Sequence, residues 1–204
     1  MKREKAESIL NTARNLFAKY GIRKTSLQDI AGMARVAKAT IYNYFGSKEQ
    51  VYLEVLNREA NTIIEKISAA VGLAVSPVDK LKAFLDAKFY LMRGAINVLN
   101  LGREGADKLP PKTSEIRNRL FSREVSILHS ILEKGVKEGI FHNTNIVQTA
   151  RGIGYALRGF EMTLLRGKND SEIKDHLNGM FNVLCKGVLV RSSAMPTRRH
   201  YNGK

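Results

Sequence analysis

Between Lys38 and Tyr44 the chain reads KATIYNY, a run whose side chains are suited to donating hydrogen bonds. Lys38, Thr40, Tyr42, Asn43 and Tyr44 supply an ammonium, hydroxyls and an amide, and Ala39 leaves room for close approach. On a helix spanning 37–45, Ile41 and Phe45 fall four apart on the inward side and leave those groups outside. Such a surface fits a phosphate-lined groove, where donors meet phosphate oxygens and base edges. We read this helix as a DNA recognition helix.

Bond-making chemistry is poorly served by the rest of the chain. His129, His142, His176 and His200 lack metal-ligand spacing, so no metal site is expected. Cys185 lies in an apolar helical context, Ser114 has no nucleophile-elbow surroundings, and Gly102 and Gly105 lack the strand-turn-helix setting of a phosphate loop. A helical enzyme is therefore the weakest functional reading, and no cofactor is expected.

The recognition helix needs a partner to hold it, and the preceding residues provide one. Thr25 with Gln28, and Ser26 with Asp29, each place a hydroxyl three residues before an acid or amide, which marks a helix start. Leu27, Ile30, Ala31 and Ala34 then share one helical face. Ahead of these lies an amphipathic helix over 3–20, with Ile9, Ala13, Leu16, Phe17 and Tyr20 as its stripe and Gly21 as its stop. Lys2, Arg3 and Lys5 stand at its start, more simply read as a frayed end than as phosphate contacts.

Thr25, Ser26, Ile30, Ala31, Ala34, Val36, Lys38, Thr40, Ile41, Tyr42, Tyr44, Phe45, Ser47, Lys48 and Glu49 occur in a fixed register. This register resembles the helix-turn-helix of the TetR family of bacterial transcriptional regulators. Three positions depart: Arg35 stands where the family has its turn glycine, Ala37 its N-cap serine and Ala39 its helix glycine. Arg35 is thus expected at a turn that favours positive φ, adding a cation beside the groove. The resemblance implies an all-α fold of about nine helices: a three-helix DNA-binding domain over 1–46, then a ligand-binding and dimerisation domain over 47–190. It also implies DNA contacts by Lys38, Thr40, Tyr42, Tyr44 and Lys48, with Thr25 and Ser26 anchoring the second helix. Arg35, Ala39 and Asn43 complete the expected DNA-facing set.

The formal net charge of +15 is concentrated at the two ends. Residues 1–50 carry ten Lys and Arg against four acids, and the last fourteen residues carry four bases and no acid. A basic N-terminal unit agrees with a polyanionic partner, although charge alone would equally fit a solvated surface or a sequence-independent DNA-coating protein. No apolar run approaches the roughly 20 residues of a membrane span, and the polar start MKREKAES reads as helix rather than leader. A single cysteine excludes an intrachain disulfide, and a cytoplasmic setting is expected.

Farther along, Ser47 with Gln50 caps a helix running to about Ala70, which would couple the two domains. Ser76 and Pro77 open a helix to Leu101, Ser114 opens another to Gly139, and GIFHNTN is a turn. Two last helices cover 146–166 and 171–190, and a basic tail, 191–204, follows without apolar periodicity. A small-molecule pocket, if lined by Phe84, Phe89, Met92, Arg93, Asn97, Tyr155 and Arg158, would take an apolar or amphipathic effector; plain core is the competing reading. Gly152, Gly154, Gly159 and Gly179 inside helices point to close helix approach, either within one subunit or across a dimer. The family implies the dimer, with Ile153, Leu157, Phe160, Leu177, Phe181 and Leu184 as its candidates. The expectation is a homodimeric, ligand-responsive regulator, most simply a repressor, that holds a palindromic DNA operator.

Overall fold

The computed structural model describes residues 2–94, 97, 110, 112–142, 145–164 and 170–188. Its described residues form eight helices and no strand, against about nine helices expected. They are α1 (Lys2–Lys24), α2 (Leu27–Ala34), α3 (Lys38–Phe45), α4 (Lys48–Leu73), α5 (Pro77–Gly94), α6 (Thr113–Lys137), α7 (Ile146–Leu164) and α8 (Asp170–Val188). The C-terminal tail lies outside the described residues.

Helix α1 packs on α2 and α4, and α3 is wedged between α2 and α4. The expected stop at Gly21 is a kink: φ 79, ψ 162 breaks the helix, and the chain turns once more before Thr25. Ile9, Ala13, Leu16, Phe17, Ile30 and Ile41 are buried here, and Phe17 meets Tyr52 of α4 edge-on at 5.1 Å. Tyr20, expected on the apolar stripe, is instead 49% exposed, while Ile22, just beyond the kink, is buried in the core. Its ring lies beneath the Lys19 ammonium.

Helix α4 runs from this unit into the remaining helices and packs on α5 and α6. Helix α7 lies on α6 and α5, and α8 lies on α5. As expected, Ser47 caps α4, its hydroxyl accepting from Gln50 N at 3.1 Å, and Ser76 caps α5 by accepting from Asp79 N at 3.1 Å. Helix α6 starts one residue before the predicted Ser114, because Thr113 folds back and donates its hydroxyl to Pro110 O at 2.8 Å. At its end Gly139 takes φ 70, and Ile140 and Phe141 both donate to Gly135 O. This brings the Phe141 ring onto Gly135, where a Cβ would lie 2.0 Å from the ring.

One polar pair sits deep between α5 and α6. Lys88 Nζ and Glu124 Oε1 are 2.5 Å apart, with side chains 1% and 5% exposed. Charges leave water at such cost that they stay buried only when paired.

Candidate nucleic-acid interface

Helix α2 begins with the Ser26 capping box. Ser26 Oγ accepts from Asp29 N at 3.1 Å, while the Asp29 carboxylate accepts from Ser26 N at 2.8 Å and from its hydroxyl at 2.7 Å. The side-chain and backbone bonds from Ser26 hold the Asp29 carboxyl below its ordinary range. Of the two helix starts open in the sequence, Ser26 with Asp29 is the one that forms.

Thr25 does something else. Its side chain is 2% exposed, and its hydroxyl donates to Gly21 O at 2.9 Å. The kink in α1 presents that carbonyl, so the Thr25 hydroxyl braces the α1–α2 corner and is turned away from solvent. This corrects the expectation that it faces DNA.

Helix α2 ends on Arg35 in the left-handed region, φ 54, ψ 46. The Arg35 and Val36 amides return to Gly32 O and Ala31 O at 3.3 and 3.0 Å, closing the turn that aims α3. Ala37 occupies the N-cap of α3 with extended backbone and no side-chain acceptor for the first free N–H groups. Ile41 is fully buried and Phe45 partly so, which pins one side of α3 to the core. Lys38, Ala39, Tyr42, Asn43 and Tyr44 are exposed, and Thr40 is half-buried. The Lys38 ammonium lies 5.8 Å from the Tyr42 ring centre, so the two can act together on one phosphate.

Gly46, at φ 78, ends α3, and Lys48 stands in the first turn of α4. Lys48 Nζ donates to Ile22 O at 2.9 Å, tying α4 to the end of α1. An ammonium carries three donors, so this bond leaves capacity for an anion. Arg23, Lys24, Arg35 and Lys38 are exposed nearby, and no acid occurs within 37–45. Ser26, Arg35, Lys38, Ala39, Thr40, Tyr42, Asn43, Tyr44 and Lys48 thus lie on or beside two short helices.

The residues expected to line an effector pocket do not converge. Phe84 and Phe89 are core, 0% and 2% exposed, and Phe89 meets Phe160 edge-on. Asn97 is buried against α1 and α4, donating to Arg14 O at 3.1 Å and to Glu59 Oε1 at 2.8 Å. Tyr155, 61% exposed, stacks on Phe121, and Arg158 lies over the same ring and donates to Arg117 O. The side chains of Met92 and Arg93 lie outside the described residues. The physical reason is rotational: apolar periodicity defines a stripe along a helix but not which neighbouring helix it meets.

A cavity of about 1150 Å³ opens elsewhere, between α1, α4 and the end of α5. Leu10, Val55, Ile63 and Leu91 give it apolar walls, and Arg14 and Glu59 stand among its polar lining. Local sequence does not point to it, because its walls come from three segments separated in the chain, Arg3 to Arg14, Val55 to Lys66 and Tyr90 to Gly94.

The dimer candidates differ in burial within the subunit. Ile153 and Leu157 are 5% and 0% exposed and pack inside the subunit, and Leu177 is 9% exposed. Phe160, Phe181 and Leu184 are partly buried against the same core. The open face of α7 carries Gly152, Tyr155, Ala156 and Gly159, and that of α8 carries Gly179 and Val183. A Cβ at Gly152, Gly159 or Gly179 would meet nothing within 4 Å, whereas one at Gly154 would strike Phe121 at 2.9 Å. Among the described residues, packing within the subunit accounts for Gly154.

Among the described residues no helix is long and apolar enough to cross a membrane, and no group of His, Cys, Asp and Glu could hold a metal ion. An all-helical chain that presents a short polar helix behind a capped turn, next to a basic surface, has the form of a helix-turn-helix regulator. Residues 9–55 match the family model for bacterial regulatory proteins of the tetR family. Over those residues the N-terminal unit matches the DNA-binding module of tetR-family regulators, and the described helices share the fold of the solved structures below. It is 27% identical over 139 residues to the HTH-type transcriptional repressor KstR2 of Mycolicibacterium smegmatis, a match covering 66% of each chain. Its fold is similar to a putative transcriptional regulator from Saccharomonospora viridis solved in complex with choline. That match has a TM-score of 0.79 at 22% identity and covers 93% of this chain and 100% of that one. The regulator FadR of Bacillus subtilis, solved with stearoyl-CoA, matches with a TM-score of 0.74 at 20% identity, covering 89% and 98%.

Proposed function

We propose that this protein is a homodimeric, ligand-responsive repressor whose α3 helices enter successive major grooves of a palindromic operator. The observation that carries this reading is α3 itself, pinned by Ile41 with Lys38, Tyr42, Asn43 and Tyr44 left exposed. In this reading 1–46 is the DNA-binding domain and 47–190 holds ligand and partner. Lys38 and Lys48 hold phosphates, Thr40, Tyr42 and Tyr44 line the groove, and Asn43 and Ala39 face base edges. Arg35 adds a cation at the turn, and Ser26 anchors α2 near the backbone. One helix of eight residues spans too few base pairs for selectivity, so two-fold pairing supplies the second half-site.

The dimer face we favour is the open side of α7 and α8. Gly152, Gly159 and Gly179 allow close approach of a second backbone, and exposed Tyr155 and Val183 supply apolar area. The effector is apolar or amphipathic, and the cavity bounded by α1, α4 and α5 is our candidate for its seat. Ligand occupancy there would favour a spacing of the α3 helices that no longer fits the operator.

The test is selection of genomic fragments by the purified protein at about 150 mM salt, followed by footprinting against competitor DNA. Recovery of a recurrent palindrome supports the reading. Uniform recovery with steep salt dependence and no motif overturns it in favour of a DNA-coating protein.

A further inference from the structure

Among the described residues, two hydrogen bonds join α1 to the end of α5 and to Asn97 just beyond it, and both use Arg14. Its Nη2 donates to Gly94 O at 2.6 Å, and its own carbonyl accepts from Asn97 Nδ2 at 3.1 Å. Each partner also converges on Glu59 of α4: Arg14 Nε donates to Oε1 at 3.0 Å and Asn97 Nδ2 donates to the same oxygen at 2.8 Å. Glu59 is 6% exposed and Asn97 is 1% exposed. These three residues sit where the recognition unit meets the other helices, and Arg14, Glu59 and Gly94 line the cavity.

A buried carboxylate is a costly way to fill a junction, since packed apolar groups would hold it at least as well. What it adds is discreteness. An apolar contact tolerates sliding, whereas one oxygen shared by a guanidinium and an amide is satisfied at one relative placement of α1, α4 and α5. The planar fork of Arg14 suits this role, because one edge reaches Glu59 while another nitrogen reaches Gly94 O.

We propose that Arg14, Glu59 and Asn97 are positioning residues for DNA recognition: a polar latch that sets the angle of α1–α3 against α5. The latch does not touch DNA. It acts by fixing where α3 points, and a ligand in the cavity meets it at Arg14 and Glu59. The effect on operator choice rests on the dimeric reading above, whereas the latch itself is a property of one chain.

The test uses the full-length protein as wild type, as Arg14→Lys, and as the apolar replacement Arg14→Met/Glu59→Leu/Asn97→Leu. Spin labels at Met33→Cys and Val75→Cys, both exposed in the wild type, with Cys185→Ser, report the intrachain distance in samples diluted with unlabelled protein. A single narrow distance in wild type that broadens in both variants, at unchanged helicity and melting, supports the latch. Narrow, unshifted distances in both folded variants overturn it. In parallel, the selected operator is titrated with its half-site spacing altered by about one or two base pairs. The latch predicts that the variants lose about tenfold on the native spacing and bind an isolated half-site as wild type does. An unchanged spacing profile also counts against it. Failure of wild type to select any palindrome removes the dimeric reading, and the distance measurement still decides the latch.

Discussion

Replacing Arg35 by glycine tests how the turn before α3 is held. Arg35 sits at φ 54, ψ 46, where an L side chain costs about 1–2 kcal/mol through crowding of its Cβ. Glycine removes that strain but gives back about 0.5–1 kcal/mol in unfolded-chain entropy. The expected balance is a stabilisation of roughly 0.5–1 kcal/mol, or about 1–4 °C in melting temperature for a chain of this length. Arg35 is exposed, and no described ion pair uses it, so little opposes the gain. Thermal unfolding followed by circular dichroism reads the first quantity. Operator titration at several salt concentrations reads the second: if Arg35 holds one phosphate, the variant binds more weakly and its salt slope falls by about one. A lower melting temperature would refute the strain argument, and an unchanged slope would remove Arg35 from the DNA contacts. Ala37→Ser is the companion change, supplying the missing α3 cap for about 1 kcal/mol. The two sites adjoin, so their effects need not add.

Lys88→Met removes the ammonium paired with buried Glu124 and should cost about 3–5 kcal/mol in denaturant unfolding. Lys88→Met/Glu124→Leu should recover most of that loss, and a double variant as unstable as the single one would contradict the account. Gly135→Ala puts a Cβ 2.0 Å from the Phe141 ring, which must move. The expected net loss is about 1–3 kcal/mol despite alanine's better helix propensity, and Phe141→Ala in the same background should make the alanine at 135 nearly harmless. Because the Asp29 carboxyl is held low by Ser26, its capping contribution is complete above the ordinary carboxylate range and is lost as pH falls through the lowered value. An NMR titration should find Asp29 moving back up in Ser26→Ala; an unmoved carboxyl would mean Ser26 is not the cause.

What the sequence disclosed was local. The Ser26–Asp29 spacing, the glycine-like demand at Arg35 and the Ile41–Phe45 pair are each set within a few residues, and all three are present in the fold. The Thr25 hydroxyl, which the sequence places toward DNA, instead donates to the Gly21 carbonyl at the kink. Asn97 finds its partners in Arg14 and Glu59, 83 and 38 residues away, beyond the reach of any periodicity. The dimer candidates Ile153 and Leu157 lie on the apolar stripe of α7, and that side of α7 packs into the subunit's own core. Gly152 and Gly159 fall two turns apart on the opposite, open side, the face proposed above as the dimer seam.

The length of α4 has a mechanical consequence. Its 26 residues make a rod about 39 Å long, with Lys48 bonded to Ile22 at one end and Lys80 bonded to the Val71 carbonyl at the other. Pivoting such a rod by about 5° sweeps its tip through about 3.4 Å, the axial step between neighbouring phosphates of one DNA strand. In the function proposed above, a small displacement at the far helices would thus be magnified into a shift of about one base step. In a dimer the two rods swing in opposite senses, and the separation of the reading heads changes by up to twice that step.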